Sequence, residues 1–270
     1  METPVEISEP TRLERLSPSR ASDYKRCPKL YHFKSVLKLP EPTTVYQARG
    51  TAAHLALEWM YDLEPEARTA EVLYDLFRKA WTEMRTQEDY VDLFDTVDDE
   101  RAWGVAAMGL LRDYFQLEDP TKVVPLDREL DMLEELEGMT LRGILDRMDE
   151  DDDGELIILD YKTGKAPPQR FSEPAFFAMK IYAALIRHMT GRTPKELHLL
   201  YLTGPTRLVR EISEATVDNI LIEVRQLWDA INDSFETGVW EPSPQRLCDW
   251  CFFQNQCPAF ANGDPREPKA

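Results

Sequence analysis

Apolar residues recur at a spacing near 3.6 residues over much of the chain, which predicts amphipathic helices. The first helix is predicted to begin at Ser17-Pro18, because serine caps a helix N-terminus and proline fits its first turn. It is predicted to stop before Pro28. A second helix is predicted to open at Gly50-Thr51. Four further helices are predicted at residues 68–86, 99–117, 172–189 and 213–238.

After Pro120 the pattern changes to that of strands. Strands are predicted at residues 122–136, 139–148, 155–162, 197–203 and 207–212. The Asp-Gly turn at 151–154 and the Gly204-Pro205 turn join neighbouring strands as hairpins. This order of elements predicts an α/β (mixed α+β) fold, with a central mixed β-sheet flanked by helices.

A chain of 270 residues has room for one large hydrophobic core. We therefore expect a single domain over residues 17–260, with a helical part at about 50–120 and a catalytic core at about 121–212. Residues 1–16 and 261–270 are rich in proline and charge and lack periodicity, which predicts flexible tails.

Charge is segregated along the chain, whose net charge is −18. Residues 83–100 and 127–155 carry −7 and −10, whereas residues 12–38 and 180–210 carry +6 and +5. Such segregation permits a local basic groove on an acidic protein. Solvated helix faces would give the same pattern, so bulk charge does not decide whether the protein binds nucleic acid.

The compartment follows from what the sequence lacks. No apolar run approaches the length that spans a bilayer. The first ten residues contain neither a basic segment nor an apolar segment of the kind that directs export. We therefore expect a cytoplasmic protein with no membrane partner, in which thiols stay reduced.

Candidate chemistry begins with two acids and a lysine on the hairpin at 139–162. If the turn at 151–154 has two or three residues, Asp146 lies opposite residue 160 or 161, about 5 Å away. Asp160 and Lys162 are two positions apart, so their side chains leave the same face of a strand. Two carboxylates and an ammonium then converge, and a hard cation such as Mg²⁺ suits them. The alternative is a hairpin whose polar ends face water, with Lys162 as a surface ion-pair partner.

The sequence around these residues resembles the PD-(D/E)xK nucleases of the RecB-like branch. Gly143-Ile-Leu-Asp146 and the aliphatic strand ending in Asp160-Tyr161-Lys162-Thr-Gly-Lys match its central motifs. Arg49-Gly50-Thr51-Ala-Ala-His54 is similar to its Gly-x-x-x-His motif, and Tyr182 to its late tyrosine. The resemblance covers about residues 17–260, in the family's order, and implies a restriction-endonuclease-like core.

The same resemblance implies roles for these residues. Asp146, Asp160 and the backbone carbonyl of Tyr161 would bind Mg²⁺ or Mn²⁺, with His54 as a further ligand, and Lys162 would orient the attacking water. Taken alone, His54 would be an ordinary helix histidine. One position departs from the pattern: the family usually has glutamine four residues before the tyrosine, where this chain has Ala178. That change puts the rate or the choice of substrate in question.

The four cysteines fit one arrangement: Cys27 alone, followed by Cys248-x-x-Cys251-x₅-Cys257. Disulfides are not expected in a chain without an export signal. Zinc stays open, although structural four-cysteine zinc sites usually show two short cysteine pairs. Iron–sulfur ligation fits best, because clusters accept thiolates at mixed spacings.

The cysteine arrangement is also similar to that of the four-cysteine nucleases, namely the AddB-type nuclease domain and the CRISPR-associated Cas-four family. That likeness implies a 4Fe–4S cluster that joins the two ends of the chain. Near Cys27, basic and aromatic residues alternate, which suits a grip on single-stranded DNA through phosphates and base faces. The candidate DNA-binding residues are Lys25, Arg26, Lys180 and Tyr182.

The resemblance therefore implies a metal-dependent DNA nuclease, and specifically a single-strand exonuclease with a structural cluster. A catalytically weakened module that holds DNA ends is the alternative, and Ala178 favours it. An iron–sulfur redox protein is a third hypothesis, but no partner-cofactor motif supports it. The implied partner is DNA, single-stranded or as duplex ends. A helicase, a recombination protein or a CRISPR-adaptation protein stays open as a second partner.

Overall fold

The computed structural model describes residues 13–266. The helices are α1 (Pro18–Arg26), α2 (Pro28–Tyr31), α3 (Val45–Met60), α4 (Ala70–Met84), α5 (Val97–Tyr114), α6 (Glu173–Thr190) and α7 (Glu214–Thr237). The strands are β1 (Asp127–Leu136), β2 (Met139–Glu150), β3 (Leu156–Lys165), β4 (Glu196–Thr203) and β5 (Thr206–Glu211). In this described part, none of the helices combines the length and apolar character needed to cross a bilayer.

The five strands form one mixed sheet in the order β1-β2-β3-β4-β5. β2 and β3 are antiparallel, β3 and β4 are parallel with α6 as their crossover, and β4 and β5 are antiparallel. The predicted fold class is therefore confirmed. β3, which carries the aliphatic run predicted to be buried, is the central strand of the sheet.

Two element starts differ from the sequence prediction. α3 begins at Val45, five residues before Gly50, because Thr44 and Gln47 form a reciprocal capping box at its N-terminus. Gly50 therefore lies inside the helix, and the prediction that it opens the helix was wrong. β1 begins at Asp127, because Pro120–Lys122 forms a 3-10 turn in place of the predicted strand start.

Contacts divide the chain into two compact units, where the sequence predicts one domain. The first unit comprises residues up to 41, 133–142 and 218 onward. The second comprises residues 42–132 and 143–217, and includes α3 to α6. Of the predicted N-terminal tail, residues 1–12 lie outside the described residues. Leu16 is fully buried and pairs with β2 through its backbone N–H and the Thr140 carbonyl, 2.9 Å apart.

The predicted C-terminal tail, residues 261–270, is described only as far as Arg266. Residues 267–270 lie outside the described residues, whereas Arg266 forms ion pairs with Asp264 and, at 2.7 Å, with Asp249. The part of this tail that can be described therefore packs back on the first unit.

In the second unit, helices α3, α4 and α5 share one hydrophobic core with the sheet. Leu159 and Tyr161 of β3 and Leu200 and Leu202 of β4 belong to this core. Because strand side chains alternate between faces, Asp160 and its neighbours at even positions of β3 leave the opposite face. α6 contacts β3 and β4. The core thus fixes which side of β3 carries the candidate chemistry.

Strand β2 carries a buried arginine, Arg147, which is 2% exposed. Its guanidinium donates to both carboxylate oxygens of Glu118, at 2.6 and 2.8 Å, and to Asp149 at 2.9 Å. It also donates to the hydroxyls of Tyr61 and Tyr161, at 2.8 and 2.6 Å. A buried charge is tolerated only when it is paired and hydrogen-bonded, and this one is.

Glu118 is the main partner of this arginine. Burial raises the pKa of the Glu118 carboxyl, but hydrogen bonds and charge from Arg147 outweigh it, so the pKa lies below its ordinary value. A carboxyl with a lowered folded pKa contributes stability that is present above its unfolded pKa and is lost as the pH falls through the folded pKa. Acid should therefore weaken this part of the fold.

We predict that Glu118→Gln lowers the free energy of unfolding at pH 7 by about 3 kcal/mol, because removing one partner of a buried ion pair costs roughly 3–5 kcal/mol and Asp149 still faces the arginine. The loss should shrink as the pH falls below 4.5, the ordinary pKa of the carboxyl, towards about pH 3. Urea unfolding at pH 7 and at about pH 3 measures this loss. Glu66→Gln, at an exposed carboxylate, is the matched control. An equal loss at both pH values would contradict the ion-pair account.

Candidate active site

The β2–β3 hairpin brings the two predicted aspartates together. Arg147 pairs with Leu159, and extending the register by one residue places Asp146 opposite Asp160. Asp146 Oδ2 accepts a hydrogen bond of 2.7 Å from the backbone N–H of Tyr161. The turn closes with Asp151 N–H donating to the Glu155 carbonyl at 2.9 Å, which leaves three residues between them. This is the longer of the two turn lengths considered from the sequence.

His54 reaches the same place from α3. Its Nε2 lies 2.9 Å from the Tyr161 carbonyl oxygen, and its Nδ1 lies 3.5 Å from Asp146 Oδ2. Gly50 lies one turn earlier, where the helix passes close to β3. A Cβ on Gly50 would stand 3.4 Å from Thr163 Oγ1, which is about van der Waals contact, so little space is left there for a side chain longer than alanine.

Glu129 joins this group and was missed from the sequence. Donor atoms of His54, Glu129 and Asp146 all lie within 4.8 Å of one another, close enough to share a cation. Glu129 has a φ of 45°, a left-handed conformation that is rare for glutamate and costs roughly 1–3 kcal/mol. Strain of this kind clusters at functional sites.

A signal for Glu129 was present in the sequence. Glu137 and Gly138, the two residues between β1 and β2, both have positive φ, as in the turns of two-residue hairpins. Counting seven residues back along β1 from Leu136 and seven forward along β2 from Met139 sets Glu129 opposite Asp146. The prediction treated the two strands separately and drew no register between them.

The acids of the site crowd one another. Burial and the charge of Asp146 raise the pKa of Asp160 to about 6. Burial and the same charge raise the pKa of Glu129 to about 7. Burial lowers the pKa of His54, but a hydrogen bond and charge from Asp146 outweigh it and raise the pKa to about 9. The site therefore concentrates negative charge that a cation would neutralise.

Lys162 and Tyr182 complete the arrangement. Lys162 Nζ forms an ion pair with Asp160. Burial lowers the pKa of the Lys162 ammonium, but the charge and hydrogen bond of Asp160 outweigh burial, so the pKa lies above its ordinary value. Asp160 Oδ2, despite this ion pair, has no hydrogen bond of ordinary geometry. Burial and the carboxylates of Asp160 and Asp146 raise the pKa of Tyr182, which puts this tyrosine beside the acids. Ala178 lies one turn before it on α6.

The four cysteines gather separately, in the first unit. They line a cavity of about 290 Å³ together with Phe33, Trp250 and other residues. Burial raises the pKa of Cys251, and the other three cysteines add to the shift, so the four thiols lie near one another. Backbone N–H groups of Ser243 and Gln245 point at the sulfurs of Cys27 and Cys248, at 3.4 and 3.3 Å.

The sulfurs are spaced more widely than zinc would require. Among the described residues, no three cysteine sulfurs lie within 4.8 Å of one another. A tetrahedral zinc site with Zn–S bonds of about 2.3 Å sets its sulfurs about 3.8 Å apart.

The basic residues predicted to bind DNA all face carboxylates. Lys25 pairs with Glu223, Arg26 pairs with Asp23 at 2.8 Å, and Lys180 pairs with Glu173. The other five bases of residues 180–210 are paired as well: Arg187, Arg192, Lys195, Arg207 and Arg210. Lys25 and Arg26 belong to the first unit, and His54 and the acids to the second. The predicted DNA-binding roles of Lys25, Arg26, Lys180 and Tyr182 stay predictions.

Comparison with known proteins bears on this site. No curated protein matches the chain. A solved structure from Eubacterium rectale, described as a "putative exonuclease", has a TM-score of 0.55 at 15% identity, covering 95% of this chain and 91% of that one. A second structure, SSO0001, has a TM-score of 0.40 at 14% identity, covering 92% and 88%. At these identities the first likeness shows a shared fold, and the second carries no argument.

A family profile gives the stronger result. Residues 15–258 match the profile of the PD-(D/E)XK nuclease superfamily. The match takes in the β2–β3 hairpin, His54 of α3 and all four cysteines. By that match over nearly its full length, the chain belongs to the PD-(D/E)XK nuclease superfamily.

Proposed function

We propose that this protein is a divalent-metal-dependent DNA nuclease of the RecB-like branch, acting as an exonuclease on single strands. One observation carries the proposal: His54, Glu129 and Asp146 present donor atoms within 4.8 Å of one another, beside the Asp160–Lys162 ion pair. Carboxylates beside a lysine on neighbouring strands can hold a metal ion that activates water for the hydrolysis of a phosphodiester.

The residues fit a hard cation. The donors are mostly carboxylate oxygens, which suit Mg²⁺ and Mn²⁺. The raised pKa values of Glu129 and Asp160 report a cluster of acids with too little compensating charge. Asp146, Glu129 and His54 would hold the ion, and Asp160 and the Tyr161 carbonyl would complete the ligand set. A bound divalent cation supplies Lewis-acid stabilisation of the charge that develops on the phosphate.

The chain's own groups position the reactants. Lys162 keeps its proton because Asp160 raises its pKa, so its ammonium can orient the attacking water and offset charge on the phosphate. The hydrogen bond from Tyr161 N–H to Asp146 holds that carboxylate toward the site. His54, fixed on α3 by its contact with the Tyr161 carbonyl, closes the site from the helix side.

The proposal includes a 4Fe–4S cluster on Cys27, Cys248, Cys251 and Cys257. Two observations support it: the sulfurs stand farther apart than those of a tetrahedral zinc site, and backbone N–H groups aim at two of them. Hydrogen bonds to the sulfurs are typical of iron–sulfur sites. Cys27 is separated from the other three by more than 200 residues, so a cluster would link the two ends of the first unit. Such a link is structural in its effect.

For the reaction, we predict that Asp160→Asn and Lys162→Ala each lower the cleavage rate in Mn²⁺ by roughly 10²–10³-fold or more, because each removes a charge needed in the transition state. The measurement uses end-labelled linear single-stranded DNA and the anaerobically purified chain. Asp153→Asn, the same change at an exposed turn residue, should cleave like wild type. A closed circular single strand should resist an exonuclease. Equal behaviour of all variants, with DNA still bound, would favour the DNA-end-binding module that Ala178 suggests.

For the metal, we predict that Glu129→Gln raises the Mn²⁺ concentration that gives half-maximal cleavage by about tenfold or more, since a charged oxygen ligand is lost. The rate at saturating Mn²⁺ should fall less than in Asp160→Asn. A Mn²⁺ titration of cleavage measures both quantities. An unchanged half-maximal concentration would remove Glu129 from the ligand set.

For the cluster, we predict a brown protein that absorbs at about 400 nm, through thiolate-to-iron charge transfer, and contains about four iron atoms per chain. Cys27→Ser should lose most of this absorbance. Metal analysis of both proteins provides the check. About one equivalent of zinc with no iron would instead support the zinc alternative.

A further inference from the structure

Tyr46 and Arg49 lie near the N-terminus of α3, the helix that carries His54. Tyr46 is 70% exposed, and the Arg49 guanidinium carbon lies 5.6 Å from the centre of its ring. Arg49 Nε is buried without a hydrogen-bond partner. Within residues 13–266, Arg49 has no carboxylate in ion-pair range. This sets it apart from the bases of residues 180–210, each of which is paired with an acid.

Two contacts fix the start of the helix that carries Tyr46 and Arg49. The capping box of Thr44 and Gln47 begins the helix, and the Trp103 indole N–H donates to the Val45 carbonyl at 2.8 Å. An α-helix rises about 1.5 Å per residue, so Arg49 lies about 7.5 Å and Tyr46 about 12 Å before His54 along the axis. Tyr46 and His54 lie on one face, with Gly50 between them. Tyr46, Arg49 and His54 all belong to the second unit.

The charges along α3 indicate on which side of His54 a DNA strand would lie. On the far side of His54, one turn further along α3 and on the same face, the helix carries the carboxylate of Glu58. An anionic strand would be repelled there. On the near side stand an unpaired guanidinium and an exposed ring, which are the two groups that hold a phosphate and stack a base.

We propose that Tyr46 and Arg49 form a nucleotide subsite for single-stranded DNA next to the metal centre. Arg49 binds one backbone phosphate, and Tyr46 stacks on an unpaired base of the same strand. The inference rests on the proposed nuclease function, and it places one positive charge beside an acidic site. Stacking on Tyr46 requires an unpaired base, so the subsite selects single strands over duplex.

The test measures binding and cleavage separately. Binding uses Asp160→Ala chains with Ca²⁺ and a fluorescein-labelled oligothymidylate, followed by anisotropy over a range of salt concentrations. Tyr46→Ala should weaken binding about 5- to 100-fold, the effect of removing one base-stacking aromatic, with little change in the salt slope. Tyr46→Phe should bind within about twofold of the parent, because the ring is kept.

Arg49→Ala should lower the salt slope by about 0.7, the value for one lost phosphate contact on a single strand. Arg78→Ala removes an arginine that is already paired with Asp75 and should change neither affinity nor slope. Blunt duplex of the same sequence should be insensitive to Tyr46→Ala.

Either of two results would overturn the subsite: unchanged single-strand affinity in Tyr46→Ala, or an unchanged salt slope in Arg49→Ala. Equal weakening on duplex and single strand would also overturn the stacking role. Cleavage in Mn²⁺ is scored on the wild-type chain. If that chain binds but does not cleave, the nuclease proposal fails while the binding series still decides the subsite.

Discussion

The buried ion pair between Arg147 and Glu118 is the constraint on which the rest of the second unit depends. A guanidinium with 2% exposure must find partners for its charge and its donors, and here it takes two carboxylates and two tyrosine hydroxyls. Those partners come from the residue that follows α3, the segment after α5, β2 and β3, so one side chain ties the helical layer to the two strands of the hairpin. Replacing one partner would leave a buried charge uncompensated, which costs several kcal/mol. The network therefore admits one arrangement of the strands, with Asp146 directly before the arginine and Asp160 directly before Tyr161.

The same hairpin carries opposite chemistry on its two faces, because strand side chains alternate. Arg147 and the Tyr161 hydroxyl point into the helical layer, where every polar atom of the arginine is satisfied. Asp146 and Asp160 leave the other way and, with Glu129, form a cluster of acids whose raised pKa values report mutual repulsion. The arginine on one face is therefore fully paired, whereas the acids on the other face lack compensating charge. The face that carries these acids is the one suited to an ion, and the buried arginine network holds its geometry.

The two proposed inorganic sites use different donors and lie in different units. Oxygen and imidazole donors gather in the second unit, and the four thiols gather in the first. Hard cations prefer the former set, and iron–sulfur clusters the latter, so the two sites do not compete for metal. An acidic protein whose bases are mostly paired has little long-range attraction for DNA. Contacts close to the metal centre therefore matter more than overall charge, and the unpaired Arg49 is placed to supply one.

Local patterns in the sequence determined the sheet, most of the helices and the register of Asp146 with Asp160, because a tight hairpin sets cross-strand pairs over a few residues. Spacing likewise grouped the three C-terminal cysteines, whereas the addition of Cys27 to them followed from the resemblance to the four-cysteine nucleases. The start of α3 also had a local signal, the capping box of Thr44 and Gln47, but the sequence prediction placed the start at Gly50 instead. Only the tertiary structure decided the contacts between distant segments: His54 with the Tyr161 carbonyl across 107 residues, and Arg147 with Glu118 between layers. Within residues 13–266, it alone showed which bases face acids and that Arg49 does not. Those outcomes depend on how layers pack, and packing brings together residues whose separation along the chain carries no periodic signal.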